Sequence, residues 1–357
     1  MDDPSRIANS TDIQVEEQEV ATSDMGNAAF EHPPAKPKRD EWATVRKLAH
    51  KQLNRFMALE PKVLRGDNPN ALHDMRVASR RLQQILDLLY PKPRPREVRS
   101  LRRRIRRSRR CLSDARNCDV LIARVEKDLS SKRVTRLEAR EALLHFLRER
   151  RSGFFKKAVK KLVKINLAVF YVELRQLLNP ELSAHAPDQH HSGGSEELTP
   201  ALFYRRMGES LGDVWRGFES QLALSQSDPS PAAVHAARIA TKRLRYLLEV
   251  ADAFEVREAR PNLAWLRGLQ RLLGEWHDLE VLEQGMIDMV ARPEFLRDHL
   301  GLAMEVEKLI VRNRDAKKEM EAKYIRVAFN SPDAARLKEW VTYLVSSPSE
   351  AFGPAAA

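Results

Sequence analysis

The chain has 357 residues, a formal net charge of +12, 43% hydrophobic and 31% charged residues, 13 glycines, 6% aromatics and two cysteines. Abundant Leu, Ala, Arg, Glu and Lys beside scarce Gly and aromatics favour helices, and no alternating β-branched run offers a strand, so a β-rich fold is excluded. Cys111 and Cys118 are too few for a disulfide framework and read as reduced packing thiols. The longest apolar stretch, around Ile165 to Val172, is too short to span a membrane.

Residues 1–40 are acidic and end in a Pro-rich stretch (Pro33, Pro34, Pro37). They read as a disordered tail without the apolar segment of a secretory signal. Nine acids against Arg6, Lys36, Lys38 and Arg39 give the first forty residues a net −5, leaving +17 on the rest. A body that basic expects a polyanion as partner. The first helix is expected from Glu41 to Leu59, stopped by Pro61. The second starts at Pro69, a favoured first helical position, and ends before Pro91. A third runs from Arg96 to Asp128 and a fourth from Arg133 to Leu178, broken near Gly153. Residues 179–198, with paired Gly, Ser and three His, read as a linker. His185, His190 and His191 lack a nearby carboxylate or thiol and do not make a metal site.

The pattern then restarts, with helices expected over Thr199–Leu224, Pro231–Glu255, Glu258–Val290 and Pro293–Ala328. A last helix, Pro332–Ser346, has no counterpart. The expected fold is all-α: residues 41–178 and 199–328 form two four-helix bundles in tandem, related by a pseudo-two-fold, followed by a short C-terminal helix and tail over 329–357.

The repeat is sharpest in the second helix of each half. Pro69-Asn70-Ala71-Leu72-His73-Asp74-Met75-Arg76-Val77-Ala78-Ser79-Arg80-Arg81-Leu82 is matched by Pro231-Ala232-Ala233-Val234-His235-Ala236-Ala237-Arg238-Ile239-Ala240-Thr241-Lys242-Arg243-Leu244. At about 100° per residue, His73, Arg76 and Arg80 share one face, opposite Met75, Ala78, Leu82 and Leu86, with Arg81 flanking. In the second copy His235, Arg238, Lys242 and Tyr246 oppose Leu244, Leu247 and Leu248, with Arg243 and Arg245 at the edges. The third helices repeat the logic: Arg99, Arg103, Arg106 and Arg110 in one half, Arg260, Arg267 and Arg271 in the other. The first helices add Arg46-Lys47 and Arg205-Arg206. The fourth adds Lys156, Lys157, Lys160, Lys161 and Lys164. A solvated surface stripe would mix charges, yet from Arg99 to Cys111 there are eight arginines and no carboxylate. Like charges one helical turn apart cost stability unless a ligand offsets them. Arginine grips phosphate with a planar fork that keeps its charge, and helix N-termini near His73 and His235 suit phosphate as well.

These segments resemble the CHAD domain, the conserved histidine α-helical domain. Both His-x-x-Arg-x-x-x-(Arg/Lys)-Arg helices match its defining helix. Leu112 to Leu121 and Leu273 to Leu282 resemble its second signature, with Ser113-Asp114 and Asn117 as departures in the first copy. The resemblance covers residues 41–328. It implies two four-helix bundles with pseudo-two-fold symmetry around a basic central cavity that binds inorganic polyphosphate, non-catalytic and without cofactor or metal, in a cytoplasmic protein on polyphosphate granules with granule-associated protein partners. The implied contacts are His73, Arg76, Arg80 and Arg81 with His235, Arg238, Lys242, Arg243 and Arg245. The triphosphate-tunnel domain of many relatives has no match, since Glu305-Val306-Glu307-Lys308 has the wrong spacing and lies in an expected helix.

Two other classes remain open on the residues alone. A phosphoanhydride hydrolase or phosphotransferase would use His73 or His235 as phosphoryl acceptor or general acid, but the stripes lack the carboxylates that hold Mg²⁺. A nucleic-acid binder would interleave aromatics for base stacking, and Tyr246 is the one aromatic in the stripes.

Overall fold

The structure, a computed structural model, describes residues 40–353 except 67, 132–134 and 180–197. Residues 1–39 of the expected tail and 180–197 of the expected linker lie outside the described residues. Every regular element described is helical. The helices are α1 (Glu41–Arg65), α2 (Pro69–Leu89), α3 (Arg96–Cys111), α4 (Ser113–Leu129), α5 (Leu137–Val163), α6 (Leu167–Leu178), α7 (Pro200–Ser227), α8 (Pro231–Ala253), α9 (Ala259–Val290), α10 (Pro293–Asp298), α11 (Leu300–Asn330), α12 (Pro332–Ser346) and α13 (Pro348–Phe352).

Local chemistry sets the starts. Asp40, Asn68, Thr199, Ser230 and Ser331 accept from backbone N–H groups of the first turns of α1, α2, α7, α8 and α12. Such side chains satisfy donors that have no partner inside the helix. Pro stands in the first turn of α2, α7, α8 and α12. Pro61 lies inside α1, which runs past it to a left-handed Gly66 at φ 76°.

Three expected helices are divided. The one expected over Pro293–Ala328 parts at His299 into α10 and α11. The expected helix over Arg96–Asp128 breaks at Leu112, where no Gly or Pro signals it. Leu112 is buried, and the Arg109 carbonyl, released at the break, accepts from Arg76 Nη1 at 3.0 Å and Ser113 Oγ at 3.2 Å. The equivalent helix α9, with Leu273 at the position of Leu112 and Gly274 at that of Ser113, runs unbroken from Ala259 to Val290. The expected fourth helix breaks after Val163 rather than at Gly153. There Asn166 takes φ 53° and caps α6 by accepting from Val169 N–H.

Two apolar cores form, and each draws on both sequence halves. The larger gathers Leu53, Leu72 and Phe170 with Phe203, Leu247, Leu266 and Tyr324. The smaller joins Leu121 and Val125 of α4, Leu143 and Leu147 of α5, Met286 of α9, and Val306 and Leu309 of α11. Consequently α2 packs on α8, α4 on α9, and α5 on α9 and α11. The C-terminal helices α12 and α13 lie on α7, where Val345 and Pro348 approach Gly212 and Gly208 at 3.5 and 3.2 Å from an added Cβ.

Candidate polyanion-binding site

Where α2 meets α8, cationic side chains from both halves converge. His73 feels Arg116, Arg80 and Lys242. Arg76 feels Arg80, Arg109, Arg238 and Arg116. Lys242 in turn lies within reach of Arg238, Arg80 and Arg76. The α3–α4 break positions part of this set: Arg76 donates to the Arg109 carbonyl and to Ser113 Oγ, while Arg109 donates to Gln83 at 2.9 Å. His235 packs its ring against His277 of α9, centroids 5.1 Å apart.

Burial and mutual repulsion mark these groups strongly. Burial, with the neighbouring Arg80, Arg109 and Arg238 charges, draws Arg76 down to about 9. Arg109 falls to about 10 for the same reasons, its charged neighbours being Arg80, Arg106 and Arg110. Lys242 is held well below the usual lysine range by burial and then by Arg238 and Arg80. His73 and His235 are lowered, and His277 falls to about 3, by burial first and then by Arg238, His235 and Lys242. The carboxylates of Asp74, beside His73, and of Asp278 stand near these cations. Burial raises Asp278 above the usual range against the pull of Arg238, Arg124, Lys242 and Arg116.

Among the described residues, Arg80, Arg116, Arg238 and Lys242 have no side-chain hydrogen bond and no ion pair within 4.0 Å. The Nε of Arg238 is buried without any acceptor. Desolvated cations without partners cost stability. Arg238 and Lys242 of α8 are such groups, and Arg80 of α2 and Arg116 of α4 add further positive charge beside them.

The expected contacts separate into groups. His73, Arg76, Arg80, His235, Arg238 and Lys242 are brought together as above. Arg81 and Arg245 are instead engaged by Glu249. Arg81 makes a fork of 2.7 and 3.0 Å, Arg245 approaches at 3.3 Å, and both guanidinium groups lie over Tyr246, which is 5% exposed. Tyr246 therefore serves as a buried platform between α2 and α8. Replacing Glu249 by Gln should cost about 1–3 kcal/mol in urea unfolding, because two half-buried cations lose their counter-charge. The same change should tighten anion binding by freeing both guanidinium groups.

Arg99, Arg103, Arg106 and Arg110 are exposed and unpaired along α3, as are Lys157 on α5, Arg243 on α8, and Arg267 and Arg271 on α9. Arg46 lies 4.0 Å from Asp40 and near Tyr90, and Lys47 is exposed. Arg206 donates to the Leu89 carbonyl at 3.3 Å and stacks on Trp42, with exposed Arg205 beside it on α7. These first-helix bases are built into the α1–α7 surface rather than into the cluster. Arg109, Arg116, His277 and Asp278 belong to the cluster and were not among the expected contacts. Their signal was present: Arg116-Asn117 and His277-Asp278 occupy matched positions of the repeated second signature, and His73 faces Arg116 as His235 faces His277. The acids that follow are structural. Asp119 holds Arg151 at 3.0 Å and Glu280 holds Lys317 at 2.6 Å.

Among the described residues, no three or more His, Cys, Asp or Glu side chains converge as a metal cage, and no helix is long and apolar enough to cross a membrane. Both cysteines are free, their thiols pushed up to about 11 chiefly by burial.

The crystal structure of the CHAD domain from the plant Ricinus communis is similar to the chain. Its TM-score is 0.61 at 21% identity, covering 86% of this chain and 98% of that one, a likeness of fold. No curated protein matches. The CHAD domain family model matches residues 47–285, a span that contains both His-Arg helices and both copies of the second signature. With the all-α architecture and the twice-built cluster in place, the chain belongs to the CHAD domain family.

Proposed function

We propose that this protein binds inorganic polyphosphate without transforming it, between two pseudo-symmetric halves spanning residues 41–178 and 199–328. The observation that carries this reading is the set of cations without a partner among the described residues (Arg80, Arg116, Arg238 and Lys242), contributed by both halves, of which Arg238 and Lys242 are desolvated. A polyphosphate chain supplies about one charge per residue in an extended, narrow form, so a single ligand neutralises groups on both walls. Arginine is matched to phosphate oxygens through charge-assisted hydrogen bonds. Membership of a family known for polyphosphate binding points the same way. The setting that follows is the surface of cytoplasmic polyphosphate granules, with granule proteins as further partners.

Retention on immobilised long-chain polyphosphate at moderate salt tests the reading, with affinity expected to fall steeply as salt rises. RNA of equal total charge should compete poorly, because the cluster offers imidazole and guanidinium groups but no exposed aromatic platform for bases. Release of orthophosphate from polyphosphate, with or without Mg²⁺, would favour a hydrolase instead. Passage of long-chain polyphosphate through without retention would contradict the proposal.

A further inference from the structure

Resting on the reading as a polyphosphate binder, we infer that the site continues out of the cleft on one side only. The extension runs across the solvent face of α3 to the lysines of α5. This outer lane holds long chains and leaves short ones untouched.

The geometry is continuous. Arg109 stands at the cleft, beside Arg80 and next to Arg106 and Arg110. At about 100° per residue, the order around α3 from the cleft side is Arg109, Arg106, Arg110, Arg103 and Arg107, and then Cys111. Cys111 feels the charge of Lys161 on α5, and α3 packs on α5. Along α5, Lys157, Lys161 and Lys164 fall on the flank turned towards Cys111. All three are exposed, and none has a hydrogen bond or ion pair among the described residues. Two further α3 arginines are occupied. Arg102 binds Asp87 at 2.6 Å, and Arg104 binds Glu173 and the carbonyl of Asn166.

The second half keeps Arg267 and Arg271 in place of Arg106 and Arg110 but lacks the rest of the α3 path. The residues of α9 that match Arg109, Arg103 and Arg107 are Gln270, Ala264 and Gly268. On α11 several cations are engaged: Lys317 is bound by Glu280 at 2.6 Å and Glu283 at 2.9 Å, Arg314 by Glu283 at 2.7 Å, and Arg312 donates to Thr135 at 2.8 Å, while Lys318 and Lys323 have no pair among the described residues. A repeat that contributes to the cluster from both halves but carries the denser run of unpaired cations on the outer surface of one half directs a long polyanion over the first half. Repulsion among neighbouring cations on α3 and α5 is a cost that only an anion lying along them offsets.

The test compares tripolyphosphate with long-chain polyphosphate by titration calorimetry on the full chain, using the double variant Lys161→Gln with Lys164→Gln. A thermal melt confirms its fold, and Lys318→Gln with Lys323→Gln on α11 is the mirror variant. The α5 variant should weaken long-chain binding roughly tenfold at low salt and flatten its dependence on log salt by about 1.5, the loss of two phosphate contacts. Tripolyphosphate binding should not change, and the mirror variant should leave both ligands unaffected. Unchanged long-chain affinity in the α5 variant overturns the outer lane while leaving the cleft reading intact. An equal loss for tripolyphosphate, or an equal effect of the mirror variant, also overturns it. If the unmodified protein binds neither ligand, the polyphosphate reading itself falls.

Discussion

Lys242→Met is expected to make the ligand-free protein more stable and to ruin its binding of polyphosphate. Lys242 lies on the shared face of α8 with no hydrogen bond or ion pair among the described residues, and Arg238, Arg80, Arg76 and the opposing Asp278 are its charged neighbours. Burial and that repulsion hold its amine far below the usual lysine range. Met keeps most of the length of the stem, so packing survives while an unsatisfied donor and a repulsive charge disappear. Replacing uncompensated buried ionic groups by apolar ones stabilises by about 1–3 kcal/mol, and urea unfolding at pH 7 should show a gain of that order. Polyphosphate affinity should drop roughly ten- to a hundredfold, the weight of one charge-assisted hydrogen bond of about 1.5–3 kcal/mol. A variant less stable than its parent would mean that Lys242 is a structural group with a native partner. A stability gain with intact binding would place the ligand elsewhere.

Acid should weaken the ligand-free fold, and polyphosphate should rescue it. The ordinary histidine value is near 6.5, and His277 in the folded protein lies at about 3, through burial and then Arg238, His235 and Lys242. The unfolded chain therefore takes up a proton that the folded chain refuses. The stability His277 contributes is complete above pH 6.5 and is lost progressively as pH falls towards 3. By pH 4 that loss is about 2–3 kcal/mol. His73 and His235 are lowered as well and add in the same direction. Bound phosphates reverse the balance, since they favour each imidazolium. Binding should then take up protons, and affinity should rise between pH 8 and pH 6 by at most about tenfold per pH unit for each proton gained. Calorimetry in buffers of different ionisation heat counts those protons. His277→Gln should flatten the acid limb of ligand-free stability. Affinity that falls on acidification would contradict this electrostatic account.

How far the sequence carries is seen residue by residue. The two motif helices start at Pro69 and Pro231, where the sequence places them, because Asn68 and Ser230 cap them and the apolar faces repeat with helical period. The all-α class follows from the same periodicity. The break at Leu112 was not legible: it is stabilised by Arg76, 33 residues distant, donating to the Arg109 carbonyl. The fate of Arg81 was hidden for the same reason. Its position on the wheel flanks the stripe, but its partner Glu249 lies 168 residues away and reaches it only because α2 packs on α8. Local spacing shows which face is charged. Which charges remain unpaired is a property of the tertiary packing. The second signature was readable as a repeat, yet the convergence of Arg116, His277 and Asp278 on the motif helices required both α2–α4 and α8–α9 to pack.

The central claim is that Arg80 of the first half and Lys242 of the second serve one ligand together. Isothermal titration with long-chain polyphosphate at fixed salt and pH 7, on the parent chain, Arg80→Met, Lys242→Met and the double variant, tests it most directly. One shared site predicts a single binding event, weakened by either substitution. The double variant should then lose less or more than the sum of the singles by at least about 0.5 kcal/mol, the coupling expected of groups that share a partner. Strictly additive losses, or two separate binding events each sensitive to one substitution only, would contradict it.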